Sequence, residues 1–168
     1  MPLACLLGEG DPTLTSLLNE GPKIRAENVC LIGARSYESA EIALLNRLNV
    51  RIYFMEDVKA RGFENILQEA VKQVSQRTAG YGISLDLDSV DPREAPGVDV
   101  PEPDGIHAAD LLKGLAQIAA DPKLIATEIV EFDPSRDKNH QTEKLVVDLL
   151  KTLHQPLMQV QHSVACEN

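Results

Sequence analysis

Residues 81–97 read YGISLDLDSVDPREAPG, and this stretch decides the fold. Its first part, Tyr81–Asp88, is apolar and rich in β-formers, which is typical of a buried strand. Its second part, Ser89–Gly97, contains Asp-Pro and Pro-Gly turns, and Pro101 and Pro103 stiffen its continuation. A polar strand end followed by a rigid loop indicates the wall of a site, although an ordinary crossover with two turns has the same composition.

The rest of the chain repeats a strand-then-helix order around this stretch. Short apolar runs predict three more strands, at Asn28–Gly33, Asn49–Met55 and Leu124–Phe132. Apolar residues at helical spacing predict helices at residues 1–18, Glu38–Leu48, Gly62–Arg77, Ile106–Ala120 and His140–Leu153. This alternation predicts an α/β fold, a three-layer parallel sheet with helices on both faces. The carboxyl ends of such strands share one edge, where ligands bind.

The composition disfavours several classes of partner. The 168 residues suffice for one domain, and 43% hydrophobic with 25% charged residues is typical of a globular chain. The 16 Lys and Arg against 26 Asp and Glu give a net charge of −10, which disfavours nucleic acid and membrane surfaces. The sequence has no transmembrane stretch and no signal-peptide pattern. Three scattered cysteines without a CxxC pair predict a cytoplasmic protein.

Two carboxylates lie at the end of the predicted strand Tyr81–Asp88. Asp86 and Asp88 are two residues apart, so alternation along a strand places them on one face. Carboxylates at a buried strand end repel each other and lose solvation, so they need a cation, hydrogen-bond donors or a shared proton. All-oxygen ligands favour Mg, Ca or Mn. Two other interpretations stay open for this spacing: helix capping beside a surface loop, and the nucleophile of a phosphoryl-transfer enzyme.

Glu131 is a third carboxylate. It lies near the carboxyl end of another predicted strand, at the same edge of the sheet. It suits a cationic guanidinium, which pairs with a carboxylate through two hydrogen bonds. A salt bridge to a nearby Lys or Arg is the alternative. His107 and His140 begin predicted helices near this edge and are more typical of surface residues than of metal ligands. No glycine-rich phosphate-binding loop is present, so a nucleotide site is not indicated.

The motifs at the two strand ends resemble those of the ureohydrolases. Residues 84–97, SLDLDSVDPREAPG, are similar to S-[FILV]-D-[ILV]-D-x-x-D-P-x-x-A-P-G. Residues 131–137, EFDPSRD, with Thr142 after them, are similar to E-x-N-P-x-x-D…T. The resemblance is to arginases rather than agmatinases, and it covers about residues 1–154. We therefore expect a partial arginase-like domain over residues 1–154 and a polar tail over residues 155–168.

The resemblance implies metal-assisted hydrolysis of a guanidinium. Asp86 is similar to the carboxylate that bridges two Mn(II) ions, and Asp88 to a carboxylate that chelates one of them. Glu131 is similar to the glutamate that anchors the guanidinium, which makes it the catalytic candidate. Glu38 and Glu41 fall where arginases place acidic residues near the α-amino group of the substrate. The implied reaction is attack of a metal-activated water on the guanidinium carbon of arginine, releasing ornithine and urea.

Parts of the family pattern are absent from this sequence. The G-G-D-H and D-A-H-x-D motifs, which supply the other metal ligands, are missing, as is the H-G motif with the catalytic His. Asp86 and Asp88 alone offer too little charge and too few donor atoms for two Mn ions. We therefore expect this chain to be the truncated C-terminal part of a hydrolase, with an incomplete site. Val100 lacks the hydroxyl of the family's G-T-P loop, and Asp99 and Asp104 are expected to add negative charge beside the site.

Several functions remain open on the sequence alone. The intact parent is an arginase-like Mn hydrolase, or a ureohydrolase for another guanidino substrate, such as an agmatinase. Alternatively, the chain is a non-catalytic remnant that binds a partner or oligomerises through the sheet edge left by missing strands. A phosphoryl-transfer domain using Asp86 is the weakest alternative. Because an unpaired central strand promotes association, a homo-oligomer is expected in either case.

Overall fold

The computed structural model describes residues 2–165, with side chains described for residues 2–154. The strands are β1 (Cys30–Ala34), β2 (Arg51–Phe54), β3 (Tyr81–Asp86) and β4 (Leu124–Val130). The helices are α1 (Pro2–Leu6), α2 (Pro12–Thr15), α3 (Ser39–Arg47), α4 (Met55–Arg61), α5 (Phe63–Ser75), α6 (Ala108–Ile118) and α7 (Gln141–Ala165). Short 3-10 turns lie at Ala26–Asn28, Leu87–Ser89 and Lys138–His140. In this described part, no helix is long and apolar enough to cross a membrane.

The strands pair in parallel, as predicted, but in two separate sheets. β1 pairs with β2, and Leu31 lies beside Ile52. β3 pairs with β4, and Asp86 lies beside Val130. Within the described residues no ladder joins the two pairs, so the single four-stranded sheet expected from the alternation is instead two two-stranded sheets.

Helices cover both faces of the first sheet and one face of the second. Leu31 and Ile52 pack with Leu7, Leu45 and Val50 on one face of the first sheet. Its other face meets α5, which also contacts β3 and α6. The main core lies between the β3–β4 sheet and the helices α5, α6 and α7, and its fully buried members include Leu87, Leu111, Leu115 and Leu149.

The opposite face of the second sheet is open. Gly82, Ser84 and Asp86 of β3 are exposed, and Ile125 of β4 has 73% of its surface exposed. The three layers are therefore complete only around β1 and β2. This open face adjoins the carboxyl ends of β3 and β4, which carry the candidate site.

The N-terminal region and α4 differ from the sequence predictions. Residues 1–18 were predicted as one helical region, but α1 and α2 are separated, because Gly8 and Gly10 adopt positive φ angles of 85° and 117°. The second predicted strand ends early, because the Asp57 carboxylate accepts the Phe54 N–H at 3.0 Å and starts α4.

The C-terminal helix is longer than predicted. It was expected to end at Leu153, but α7 continues to Ala165, so the backbone of much of the predicted tail is helical. The division of the chain at residue 154 stays a prediction.

Candidate functional site

Asp86 and Asp88 lie together at the carboxyl end of β3. β3 ends at Asp86, and Asp88 belongs to the 3-10 turn that follows. The turn is capped because Asp86 Oδ1 accepts the Asp88 N–H at 2.8 Å. The predicted alternation holds in the burial, because Leu85 and Leu87 are both buried in the main core while Asp86 is exposed and Asp88 half-buried, although the strand itself is shorter than predicted. Helix capping, which the sequence analysis kept as an alternative for Asp86 and Asp88, is therefore present at Asp86.

The Asp88 carboxylate is in an unfavourable electrostatic environment. Its pKa is raised to about 6, first by burial and then by the charges of Asp86 and Glu131, while the Val100 N–H and the Arg35 guanidinium oppose the shift. Its Oδ1 is buried without a hydrogen-bond partner among the described residues. Asp86, Asp88 and Glu131 are here called the carboxylate cluster, because the charges of the other two raise the pKa of Asp88.

Glu131 follows β4 directly and has an unusual backbone. Its φ of 65° is in the left-handed region, which non-glycine residues rarely adopt. The side chain is exposed, and no ion pair to it occurs among the described residues, so the predicted alternative of a salt bridge to a loop cation is not found. Strain of this kind is common at functional sites.

A buried hydrogen bond joins the loops after β3 and β4. Thr142, 0% exposed, accepts the Gly97 N–H at its Oγ1 at 2.7 Å. Asp137 caps α7 by accepting the N–H groups of Thr142 and Glu143, each at 2.9 Å. A Cβ at position 97 would lie 2.7 Å from Asp137 Cβ, so only glycine fits. These motif residues therefore hold the two loops together.

Arg35, which follows β1, connects the first sheet to the loop after β3. Its guanidinium donates to the carbonyls of Ser89 (3.3 Å), Val90 (3.4 Å), Glu102 (2.8 Å) and Pro103 (3.2 Å), and also to that of Asp88. These bonds place the carboxyl ends of β1 and β3 at one edge. Arg35 was not singled out by the sequence, because an isolated Arg after a strand has no distinctive pattern.

Asp99 and Asp104 do not leave extra unpaired charge beside the site. Asp99 pairs with Arg136 at 2.7 Å, and Arg136 also binds Asp133 at 2.9 Å. Asp104 pairs with Lys59 at 3.5 Å. The expectation of added negative charge is corrected, since a basic side chain lies against each aspartate.

Glu38 and Glu41 lie at the start of α3, three and six residues after Arg35. The Glu38 N–H donates to the Glu41 carboxylate at 3.1 Å, so Glu41 caps the helix. Glu38 is exposed and Glu41 is half-buried. Because α3 begins at the carboxyl edge, both stay candidates for contact with a cationic substrate.

The loop after β3 contains an ion pair between a buried aspartate and an exposed arginine, which the sequence did not predict. Asp91, 1% exposed, binds Arg93 twice, through Nε at 2.7 Å and Nη2 at 2.8 Å. Glu94 binds His107 Nδ1 at 2.8 Å and caps α6 through the Ala108 N–H at 2.9 Å. His107 is thus a surface residue, as is His140, which contacts Glu143 at 2.7 Å. The Asp91-Pro92-Arg93 spacing was the available signal for this pair.

The carboxylate cluster offers oxygen donors of the kind that hard divalent cations prefer. An orphaned carboxylate oxygen among mutually repelling acids fits a divalent cation. However, no group of three or more His, Cys, Asp or Glu side chains in the described residues could hold a metal ion. The residues present fit one wall of such a site.

The α/β fold is that of the ureohydrolase superfamily. The Arginase family model matches residues 8–155, and the chain belongs to the arginase family. It is 36% identical to an arginase of Brevibacillus brevis over 91% of this chain and 51% of that protein. The solved arginase of Bacillus caldovelox matches with a TM-score of 0.87 at 35% identity, over 91% of this chain and 51% of that one.

A formimidoylglutamase structure from Bacillus subtilis is also similar, with a TM-score of 0.76 at 27% identity, over 80% of this chain and 42% of that one. The chain spans about half the length of the curated relatives it matches. The predicted family and fold class are confirmed.

Proposed function

We propose that this chain supplies part of an arginase-type site, which in the complete domain hydrolyses arginine to ornithine and urea with Mn(II) as cofactor. The buried Oδ1 of Asp88 has no hydrogen-bond partner among the described residues, and its carboxylate is repelled by Asp86 and Glu131; this carries the proposal. A buried acceptor in this state costs free energy, and a cation between the carboxylates removes that cost.

Each acid of the cluster has a proposed role. Asp86 and Asp88 hold the metal ions from one side, and Glu131 anchors and orients the guanidinium through paired hydrogen bonds. Bound manganese supplies Lewis-acid chemistry and acidifies water for attack at neutral pH. Glu38 and Glu41 face the α-amino end of arginine. The exposure of Glu131 and its positive φ support this role, because the side chain is accessible and strained backbone is common at functional sites.

A second candidate follows from the incomplete donor set. Because no group of three or more His, Cys, Asp or Glu side chains in the described residues could hold a metal ion, the chain by itself is proposed to be catalytically inactive and to act as a binding module. The complete protein is proposed to be a cytoplasmic homo-oligomer. A different guanidino substrate, as in agmatinases, is the alternative to arginine.

Manganese binding to the full chain tests the metal assignment. Electron paramagnetic resonance of Mn(II) counts free ions during a titration. We expect weak binding to the chain, its loss in Asp88→Asn, and no change in Asp148→Asn, an exposed acid on α7. Equal binding in both variants would place the metal elsewhere.

Urea release tests the substrate. The chain alone is expected to release none from arginine, and robust release would refute the claim of an incomplete site. When the complete domain is restored, Glu131→Gln is expected to lower kcat/KM for arginine by about 100-fold, because a charge-assisted contact to the guanidinium is lost. An unchanged kcat/KM would remove Glu131 from the site.

A further inference from the structure

Arg136 connects the loop after β3 to the loop after β4 through two ion pairs. Its Nη2 lies 2.7 Å from Asp99 Oδ1, and its Nε donates to Asp133 Oδ2 at 2.9 Å. A guanidinium suits this arrangement, because its nitrogens are held rigidly in one plane and can contact two carboxylates at once. Asp99 belongs to the first loop and Asp133 to the second. The contact of Arg136 with both aspartates is here called the guanidinium bridge.

The guanidinium bridge lies beyond the backbone contact between the same two loops. The Asp133 N–H donates to the Gly97 carbonyl at 2.9 Å, which joins the loops at that point. The first loop then continues to Asp99, whose side chain is 64% exposed. Arg136 therefore restrains a part of this loop that is surrounded by solvent rather than by the core.

Both loops carry groups that act on the Asp88 carboxylate. Val100 directly follows the bridged aspartate of the first loop, and Glu131 begins the second loop. After burial and the charge of Asp86, the charge of Glu131 raises the pKa of Asp88, and the Val100 N–H lowers it. The guanidinium bridge thus holds the two segments from which these groups reach Asp88.

Stability alone does not account for the guanidinium bridge. The side chains of Arg136 and Asp99 are both more than half exposed, and that of Asp133 is about one-third exposed. Exposed ion pairs contribute little to folding, because water screens the attraction and ordering the side chains costs entropy. The effect of the bridge is therefore local, on the relative position of the two loops.

From this geometry we propose that Arg136 is a positioning residue for the carboxylate cluster. It holds the loops after β3 and β4 at the separation at which Asp88 binds a metal ion and Glu131 a guanidinium, so this role rests on the proposed function. Arg136 itself contacts neither the metal nor the substrate, and it acts through Asp99 and Asp133.

Two substitutions break the guanidinium bridge with opposite effects on charge. Arg136→Gln removes a positive charge, whereas Asp99→Asn removes a negative one. An effect of charge alone would strengthen Mn(II) binding in the first variant and weaken it in the second, while loss of position weakens it in both. In electron paramagnetic resonance titrations of the full chain, we expect both variants to bind Mn(II) about 10-fold more weakly than the wild type, since residues that orient metal ligands change metal affinity by about 10- to 100-fold.

Amide hydrogen exchange measures the position of the loops without a metal. In both variants we expect the amides of residues 97–101 and 131–135 to exchange about three- to five-fold faster, while those of β3 and β4 keep their wild-type rates. The matched controls are Lys151→Gln and Asp148→Asn, which break an exposed ion pair within α7. Neither control is expected to change Mn(II) affinity or exchange in the two loops.

The proposal is overturned by any of three results. Mn(II) affinities that change in opposite directions would show that Arg136 acts through its charge. Unchanged exchange in the two loops would show that the guanidinium bridge holds nothing in place. Faster exchange throughout β3 and β4 would indicate a general structural role. If the wild type binds no Mn(II), the proposed function fails, and amide exchange alone decides whether Arg136 positions the loops.

Discussion

The Oγ1 atom of Thr142, at the start of α7, accepts the Gly97 N–H at 2.7 Å with neither residue exposed to solvent. This single bond connects the loop after β3 to the last helix. Its loss leaves a buried N–H without an acceptor, because Val98 and Ala95 around it are apolar and fully buried.

Thr142→Val is therefore expected to lower the free energy of unfolding by about 1–3 kcal/mol, the cost of an unsatisfied buried donor. Urea denaturation followed by circular dichroism measures the change. The control is Thr152→Val, whose hydroxyl bonds only the Asp148 carbonyl of its own helix, with an expected change within about 0.5 kcal/mol. Equal effects would show that the loop contact contributes nothing specific.

Asp88→Asn is expected to stabilise the chain at neutral pH without metal. The pKa of Asp88 is raised to about 6 in the folded chain, so its stabilising contribution is complete below the unfolded pKa near 4 and is lost as pH rises through 6. The melting temperature of the wild type should fall relative to that of Asp88→Asn between pH 4 and pH 7. A constant difference between the two proteins over this range would contradict the shift.

Asp91 has the opposite pH dependence. Arg93 lowers the pKa of the Asp91 carboxyl through a two-bond ion pair, so its stabilisation is present above the unfolded pKa and is lost as pH falls below about 4. Arg93→Gln should weaken this acid-induced loss of stability, measured by urea midpoints from pH 2 to pH 6. Arg25→Gln, which removes only an exposed pair with Glu27, is the control and should leave the pH profile unchanged.

Arg35→Lys keeps the positive charge but loses the planar guanidinium group, which donates hydrogen bonds to several carbonyls at once. We expect faster amide exchange in the loop over residues 88–103, since Lys offers a single nitrogen where Arg35 uses three. The matched control is Arg51→Lys on β2, which stacks over the Tyr53 ring and holds no loop. Faster exchange in both variants, or in neither, would contradict a specific role for Arg35.

The sequence predicts the strands and the site edge well, because both depend on local patterns. Apolar runs locate all four strands within a few residues, and Asp86, Asp88 and Glu131 lie where strand order placed them. The split into two sheets was not predictable from periodicity, since alternation defines strands but not which edges pair. The turn at Asp88 was missed because a 3-10 turn depends on the capping bond from Asp86, which spacing alone does not reveal.

The ion pairs around the site could not be predicted from the sequence, for a different reason. Asp99 and Arg136 are far apart in the chain, and their contact depends on the loops after β3 and β4 meeting. The same holds for Asp104 and Lys59. Counting charges along the sequence therefore overestimated the negative potential at this edge.

The two separate strand pairs have a consequence for how the molecule is made. Each pair closes over a contiguous stretch, β1 with β2 through α3 and β3 with β4 through α6. Such local units have low contact order and form quickly, without waiting for distant parts of the chain. Each strand pair can therefore form as soon as its own stretch of chain has left the ribosome, before the rest of the domain has been made.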